Sequence, residues 1–548
     1  MIRSALPAVA AVLLALGIAG CGGASSRPKR GAALGHGAVI MPRLDPRYRW
    51  LVRTAGPPPA IAAENRAPGT RAWRLRGPSG DVGGLAWGTV RGYVAQPALA
   101  PGQTERIYVN APRTRQLRIR IFRMGWYHGT GGREVLMSQR LPAVRQPPCT
   151  HRFATGLTEC DWRPTLSFAI PVALPSGVYI VKLSARTGES DCLFVVRSGR
   201  PQPLLAQLPT STYEAYNAWG GDSLYPGGHA VKLTGTTQGI EVSYDRPYGS
   251  VTGAGQFFAR DVAMIRFLER YGYPVSYTTS ESVDRDPGQL TRHRAVIDFG
   301  HSEYWSVRQE RAFAHALALG TSLLFFGSDT LAWRVRYAPA SAAASQAGEP
   351  NQSIIAYKQY RARDRDRHDR SGAFSDGGAR LADSAYLGCI TPRLAQPGSP
   401  TYRYYAWAPA PRLRPAWLFA GTRIIRSKRI PGIVGYELDQ RTRFTPPQTK
   451  LIGSGAAPCM SRSSPEGGRL TPGAAIAGPG GGLAETTLYT APSGAIVFDT
   501  GTLGWELGLE PVPSASPDAP RAPDPRVVQM TRNLLARVLG KSPQRATP

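Results

Sequence analysis

Two hydrophobic periodicities divide the chain. From about Trp73 to Val196, short runs alternate apolar and polar residues, at 90–94, 106–109, 117–122, 166–170, 178–183 and 192–196. Gly/Pro turns separate these runs and no helix-length amphipathic stretch interrupts them, so the pattern predicts an Ig-like β-sandwich over 71–199. Near Gln202 the pattern changes. Residues 204–208, 275–278, 295–299 and 322–326 form short, nearly continuous apolar runs, which read as strands buried on both faces. Amphipathic stretches at 258–271 and 305–319 lie between them as helices. Strand, helix and strand in repetition predict parallel strands with right-handed crossovers, hence an α/β domain over 200–545. Residues 337–486 loosen into Arg-, Gly- and Pro-rich loops and read as an elaboration laid over the sheet. The α/β pattern returns in GAIVFDTGTLGWELGL from Gly494, and a last helix is expected over 527–539.

The N-terminus sets the expected location. Arg3 precedes an apolar run over 5–18 that is too short to span a membrane as a mature helix, so 1–20 reads as a signal peptide. Ile18-Ala19-Gly20-Cys21 resembles the bacterial lipobox, in which Cys21 is lipidated and anchors the chain on the outer face of the cell membrane. Residues 21–70 then read as a flexible tether. Five further cysteines fall in a compartment that permits disulfides. Cys149 and Cys160 bracket a short loop and form the best local pair, Cys389 and Cys459 form the second, and Cys192 in SDCLFVV is left as a buried thiol. No CxxC spacing occurs, which argues against zinc and thiol chemistry.

Composition adds one constraint. In 548 residues, 42% hydrophobic and 19% charged content describes a globular chain, while 66 Lys+Arg against 37 Asp+Glu gives a formal net charge of +29. Such a balance favours anionic surroundings. The arginines are scattered, however, and no nucleic-acid-binding signature lies among them, so the charge fits an exported protein in an anionic envelope and nucleic acid is not an expected partner.

Ligands of open α/β sheets bind beyond the carboxyl ends of the strands. Three such ends offer polar residues here: Tyr213 and Tyr216 after the first run, His301 and Glu303 after AVIDFG, and Asp329 after SLLFFG, with Tyr244 and Tyr248 entering from a loop. Oxygen donors dominate, and these suit a hard cation such as iron. Other readings compete. Ser302 and Glu303 are compatible with a plain helix cap. Gly300-His301-Ser302 echoes the nucleophile elbow of a serine hydrolase, although Tyr304 replaces its second glycine. A non-enzymatic surface module that binds an anionic envelope polymer is a further alternative.

Several long motifs bear on the choice: STYEAYNAWGGDSLY at Ser211, VSYDRPY at Val242, FLERYGYPVSYTT at Phe267, GHSEYW at Gly300 and WRVR at Trp333, with RMGWYHGTGGR at Arg123 and SGVYIVKL at Ser176 before them. Together they resemble the N,N-dimethylformamidase beta (large) subunit and its broad relatives, over roughly 71–539. The resemblance implies a glutamine-amidotransferase-like (flavodoxin-like) α/β domain with a mononuclear iron, Fe3+, held by two tyrosines and one glutamate, and hydrolysis of a small amide. Glu303 matches the metal-binding glutamate and His301 the catalytic histidine. The first metal tyrosine falls in the Tyr213/Tyr216 motif and the second in the Tyr244/Tyr248 motif, with Tyr213 and Tyr248 favoured. Asp329 stands where the family has an asparagine. The lipid-anchor signal, and the absence of any sign of the enzyme's small partner subunit, point away from dimethylformamide and toward a related amide or other C–N substrate.

Overall fold

The apolar run LLAQL is buried along its whole length, Leu204–Leu208, and lies second from one edge of a nine-stranded sheet. The structure, a computed structural model, describes residues 45–77, 86–227, 232, 235–250, 252–374, 384–390, 393–394, 401–442, 445–458, 481–510, 512 and 518–541. The expected signal peptide, Cys21 and Cys459 lie outside these residues. Five strands of the sheet are parallel, in the order Val275–Thr279, Leu204–Leu208, Ala295–Gly300, Ser322–Gly327, Ile496–Asp499. Numbered along the chain, that order is 2-1-3-4-5. It reverses between the first and third strands, where doubly wound sheets open a ligand crevice.

Alternate residues of these strands feed two cores. Leu204, Ala206 and Leu208 face Val262–Arg270 and Pro525–Val538, while Leu205, Val296 and Leu323 face Val307–Ala318. Both faces are thus covered by helices, which explains the unbroken apolar runs. The segment at 337–486 does more than lie over this sheet. Tyr405–Pro409, Ile430–Val434, Lys450–Ala457 and Gly482–Thr490 extend it with antiparallel pairings.

Ahead of this domain, antiparallel sheets of eight and three strands enclose a core built on Ile107, Val109, Ile119, Val181 and Phe194. All six predicted strands are present, and Gly132–Ser138, not expected from the sequence, pairs with Gln116–Met124. The ordered body also begins before residue 71. Tyr48–Trp50 pairs with Leu136 to Ser138, and the short helix Ile61–Glu64 buries Ile61 and Glu64, so this part of the expected tether belongs to the fold. Cys149 and Cys160 are disulfide-bonded and Cys192 is a buried free thiol.

One buried acid in this part makes a testable contribution to stability. Glu105 shares the inward face of Thr104–Asn110 with Ile107 and Val109, and its Oε1 accepts from the backbone N–H groups of Ala95, Gln96 and Arg106. Burial outweighs those donors and pushes the carboxyl up to about 8. The unfolded value is about 4.3, so the folded chain holds the extra proton between the two values. The stability it contributes is whole below the unfolded pKa and is lost as pH rises through 8. Replacing Glu105 with Gln is expected to flatten the fall in stability between pH 5 and pH 8, removing a slope of up to about 1.4 kcal/mol per pH unit. Urea midpoints measured across that range for both proteins check it.

Candidate functional site

The turn after Ala295–Gly300 is fixed from three sides. Gly300 adopts φ +69°, and a Cβ there would lie 1.9 Å from Asp261 Oδ1, so the position requires glycine. Its N–H donates to Glu506 Oε1 at 2.8 Å. Thr212, on the six-residue helix Thr210–Ala215 that follows the first parallel strand, accepts from the N–H groups of Glu303 and Tyr304 at 3.0 and 3.3 Å. On the far side, the N–H groups of Ala332 and Trp333 each donate to the Glu303 carbonyl at 3.0 Å. Tyr304–Ser306 then forms a short strand paired with Trp333 to Val335 before helix Val307–Ala318 begins.

This anchoring buries Glu303 and His301 beside one another at the switch point of the sheet. Glu303 gathers phenols: Tyr216 donates to Oε2 at 2.9 Å, and the Tyr225 hydroxyl lies 3.1 Å from Oε1 and 3.0 Å from Oε2. Tyr304 in turn donates to the Tyr225 oxygen at 2.8 Å. Lys358 Nζ sits 3.6 Å from the centre of the Tyr225 ring, a cation–π contact that holds the ring from behind. Tyr216, 37 % exposed, forms the open side of the cluster. Burial of its hydroxyl end, followed by the Glu303 and Glu437 charges, raises its phenol pKa well above the ordinary value.

His301 links this cluster to two more carboxylates. Its Nε2 lies 2.9 Å from Glu437, 3.4 Å from Glu303 and 3.7 Å from Asp329, and its Nδ1 lies 3.3 Å from the Tyr436 hydroxyl. Burial disfavours the charged ring, but the Glu437 and Glu303 charges outweigh it and hold the His301 pKa above the usual range. Asp329 follows the fourth parallel strand with φ +56°, and its N–H donates to Asp439 Oδ1 at 2.8 Å. His301, Asp329 and Glu437 form a buried triad able to hold a metal ion, with ligand atoms all within 4.8 Å of one another.

The sequence expectations fare unevenly against this geometry. His301, Glu303 and Asp329 converge as placed, and Tyr216, an alternate, reaches Glu303. Tyr213 is buried against Tyr248 at 6.3 Å between ring centres, and Tyr244 packs in a cluster with Ala215 and Val335. The favoured Tyr213 and Tyr248 thus pack edge to face on one another, while the phenol hydrogen bond to Glu303 from this group is that of Tyr216. The second phenol on that carboxylate is instead Tyr225, the last residue of STYEAYNAWGGDSLY, and the principal partner of His301 is Glu437, from GIVGYEL. Tyr225 falls in a motif quoted above, Glu437 in the loop-rich 337–486 segment, and nothing in local spacing marks either of them.

The two Ser302 readings are corrected. The residue that caps Val307–Ala318 is Ser306, which accepts from the Gln309 N–H, because the Tyr304–Ser306 strand delays the helix. Ser302 Oγ is buried, donates to Asp298 Oδ1 at 3.0 Å and accepts from Trp305 Nε1 at 3.0 Å, which leaves it committed and unsuited to act as a nucleophile. Burial pushes that Asp298 carboxyl up to about 8.

A family model described as N,N-dimethylformamidase beta subunit-like, C-terminal, matches residues 118–519. Among curated proteins, no match was found.

Proposed function

The chain belongs to the N,N-dimethylformamidase beta subunit-like family, and from that membership we propose that it hydrolyses the C–N bond of a small amide with the help of one metal ion. The observation that carries this reading is the convergence of two phenol hydroxyls on the single carboxylate of Glu303, beside the His301–Glu437 pair. The donors fit a hard cation. Both phenol groups meet Glu303, so exchanging their protons for a cation leaves phenolate and carboxylate oxygens around one point, a set suited to ferric iron. Tyr216, Tyr225 and Glu303 would hold the ion, which when bound would polarise a carbonyl and acidify water.

The remaining steps belong to the chain's own residues. Glu437 takes a proton from the attacking water as its oxygen bonds to the amide carbon. His301, held beside Glu437, in its protonated form gives a proton to the amide nitrogen as the C–N bond breaks. The proton on Glu437 then returns to His301 across the 2.9 Å contact, and Tyr436 at Nδ1 holds the ring in place. Asp329, within 3.7 Å of the imidazole, adds a charge where the family has an amide, and this supports a substrate other than dimethylformamide.

The test is elemental analysis of protein prepared without chelators, together with a visible phenolate-to-iron absorption band and amine release from a panel of short linear amides. Protein that neither retains metal nor releases amine from any of them would sink the proposal. Replacing Glu437 with Gln is expected to leave metal content unchanged and to lower kcat about 10²- to 10⁴-fold with little change in KM. A loss of metal in that variant would move Glu437 from proton transfer to ligation.

Two finer readings rest on the same ground. The strand order 2-1-3-4-5 supports a glutamine-amidotransferase-like, flavodoxin-like domain. The lipobox-like segment supports a lipid on Cys21, hence a site outside the cytoplasm, which incorporation of labelled fatty acid and its loss in Cys21→Ser would check. No described helix is long and apolar enough to cross a membrane.

A further inference from the structure

At the amino ends of the parallel strands lies a cavity of about 420 Å³. Arg294 at its rim immediately precedes Ala295–Gly300, and Ser322 and Ile496 begin their strands, whereas His301 and Asp329 follow strand ends. A strand of this length separates the two sites by roughly 17–20 Å.

The lining of this cavity combines basic and apolar residues. Arg294, Lys450 and Arg537 reach it from three separate elements, and no Asp or Glu is among the residues that line it. Among the described residues, none of the three has a carboxylate within ion-pair distance. The Arg294 guanidinium is held in place by donating to the Leu539 carbonyl at 2.8 Å, and the Arg537 guanidinium lies 5.8 Å from the Trp417 ring centre. Trp417, Leu488 and Val538 supply the apolar wall. Three cations lining one cavity match a dianion with several terminal oxygens better than a single carboxylate, and guanidinium groups bind phosphate in bidentate fashion. The volume far exceeds that of phosphate alone, which leaves room for an organic group on the Trp417 wall.

We propose that this cavity is a binding site for a small phosphate monoester, with its phosphate among Arg294, Lys450 and Arg537 and its organic part against Trp417. The site is distinct from the amide-hydrolysing centre and does not depend on its metal. Phenyl phosphate serves as the probe, followed by Trp fluorescence and by calorimetry on the full chain. Saturable binding is expected, falling with added salt, weaker for inorganic phosphate and absent for phenol. Lys450→Glu/Arg537→Glu is expected to weaken it at least tenfold, and Trp417→Phe to remove the fluorescence response while retaining calorimetric heat. Lys450 and Arg537 are exposed, so an unchanged urea midpoint is expected, and Lys450→Ala alone gives a graded loss if the double variant is unstable. Equal affinity in wild type and variants, no saturable binding, or capture of phosphatidic acid vesicles without binding of phenyl phosphate would each overturn the proposal.

Discussion

Glu303→Ala is expected to give folded protein that no longer retains metal, with affinity down at least about 100-fold and amide hydrolysis lost with it. The expectation follows from position. Glu303 is the one carboxylate on which both the Tyr216 and Tyr225 hydroxyls converge, so its removal leaves two phenols with no anionic partner to hold them around a cation. The turn itself should survive, because Thr212 and the 332–333 segment anchor the backbone of residue 303 and not its side chain. Thermal unfolding of the apo forms of wild type and variant should therefore nearly coincide. Asp329→Ala is the informative companion. If the ion sits in the phenol cluster, Asp329→Ala keeps it. If the ion sits among His301, Asp329 and Glu437 instead, Asp329→Ala loses it while Glu303→Ala does not. Tyr216→Phe and Tyr225→Phe, read through the visible absorption band, separate the two arrangements without reference to activity.

Why some of this was legible and some was not follows from the range over which each feature is determined. LLAQL, AVIDFG and SLLFFG announce strands because burial on both faces removes polar alternation, a property contained within six residues. The placement of His301, Glu303 and Asp329 follows from those strands, since each sits just past a strand end. The choice among tyrosines is different in kind. Tyr213 lies within Thr210–Ala215 and turns into the core, whereas Tyr216, at the end of that helix, turns outward to Glu303. A six-residue helix leaves too short a period to reveal which face a residue takes. Tyr225 and Glu437 arrive by way of long loops, and only tertiary contacts bring them to Glu303 and His301. The same holds at the start of the fold, where Tyr48–Trp50 is three residues long and is defined by its partner strand, not by any pattern of its own.

Arg123→Met is expected to destabilise the protein by about 3–5 kcal/mol, because it strands a buried carboxylate. Arg123 and Glu269 are both fully buried and form a paired contact, with Nη1 to Oε2 at 2.8 Å and Nη2 to Oε1 at 2.7 Å. The pair joins Gln116–Met124 of the eight-stranded sheet to helix Val262–Arg270 of the α/β region. Its surroundings are built for charge: Tyr277 and Asn65 also donate to Glu269, and Arg123 donates to the Ser176 carbonyl. Without Arg123, two neutral donors face a carboxylate that burial disfavours. The double variant Arg123→Met/Glu269→Leu removes both charges and fills the space with apolar atoms, so it is expected to recover most of the loss, as buried pairs replaced whole often do. Urea unfolding of the two single variants and the double variant forms the cycle. If the double variant is as unstable as the sum of the singles, the pair has no coupling and the stabilisation comes from packing around it. Recovery would show instead that the junction tolerates an apolar contact but not a lone charge. The same helix begins after Asp261, whose Oδ1 occupies the space a side chain at Gly300 would need, so the junction and the turn that carries His301 share one packed neighbourhood.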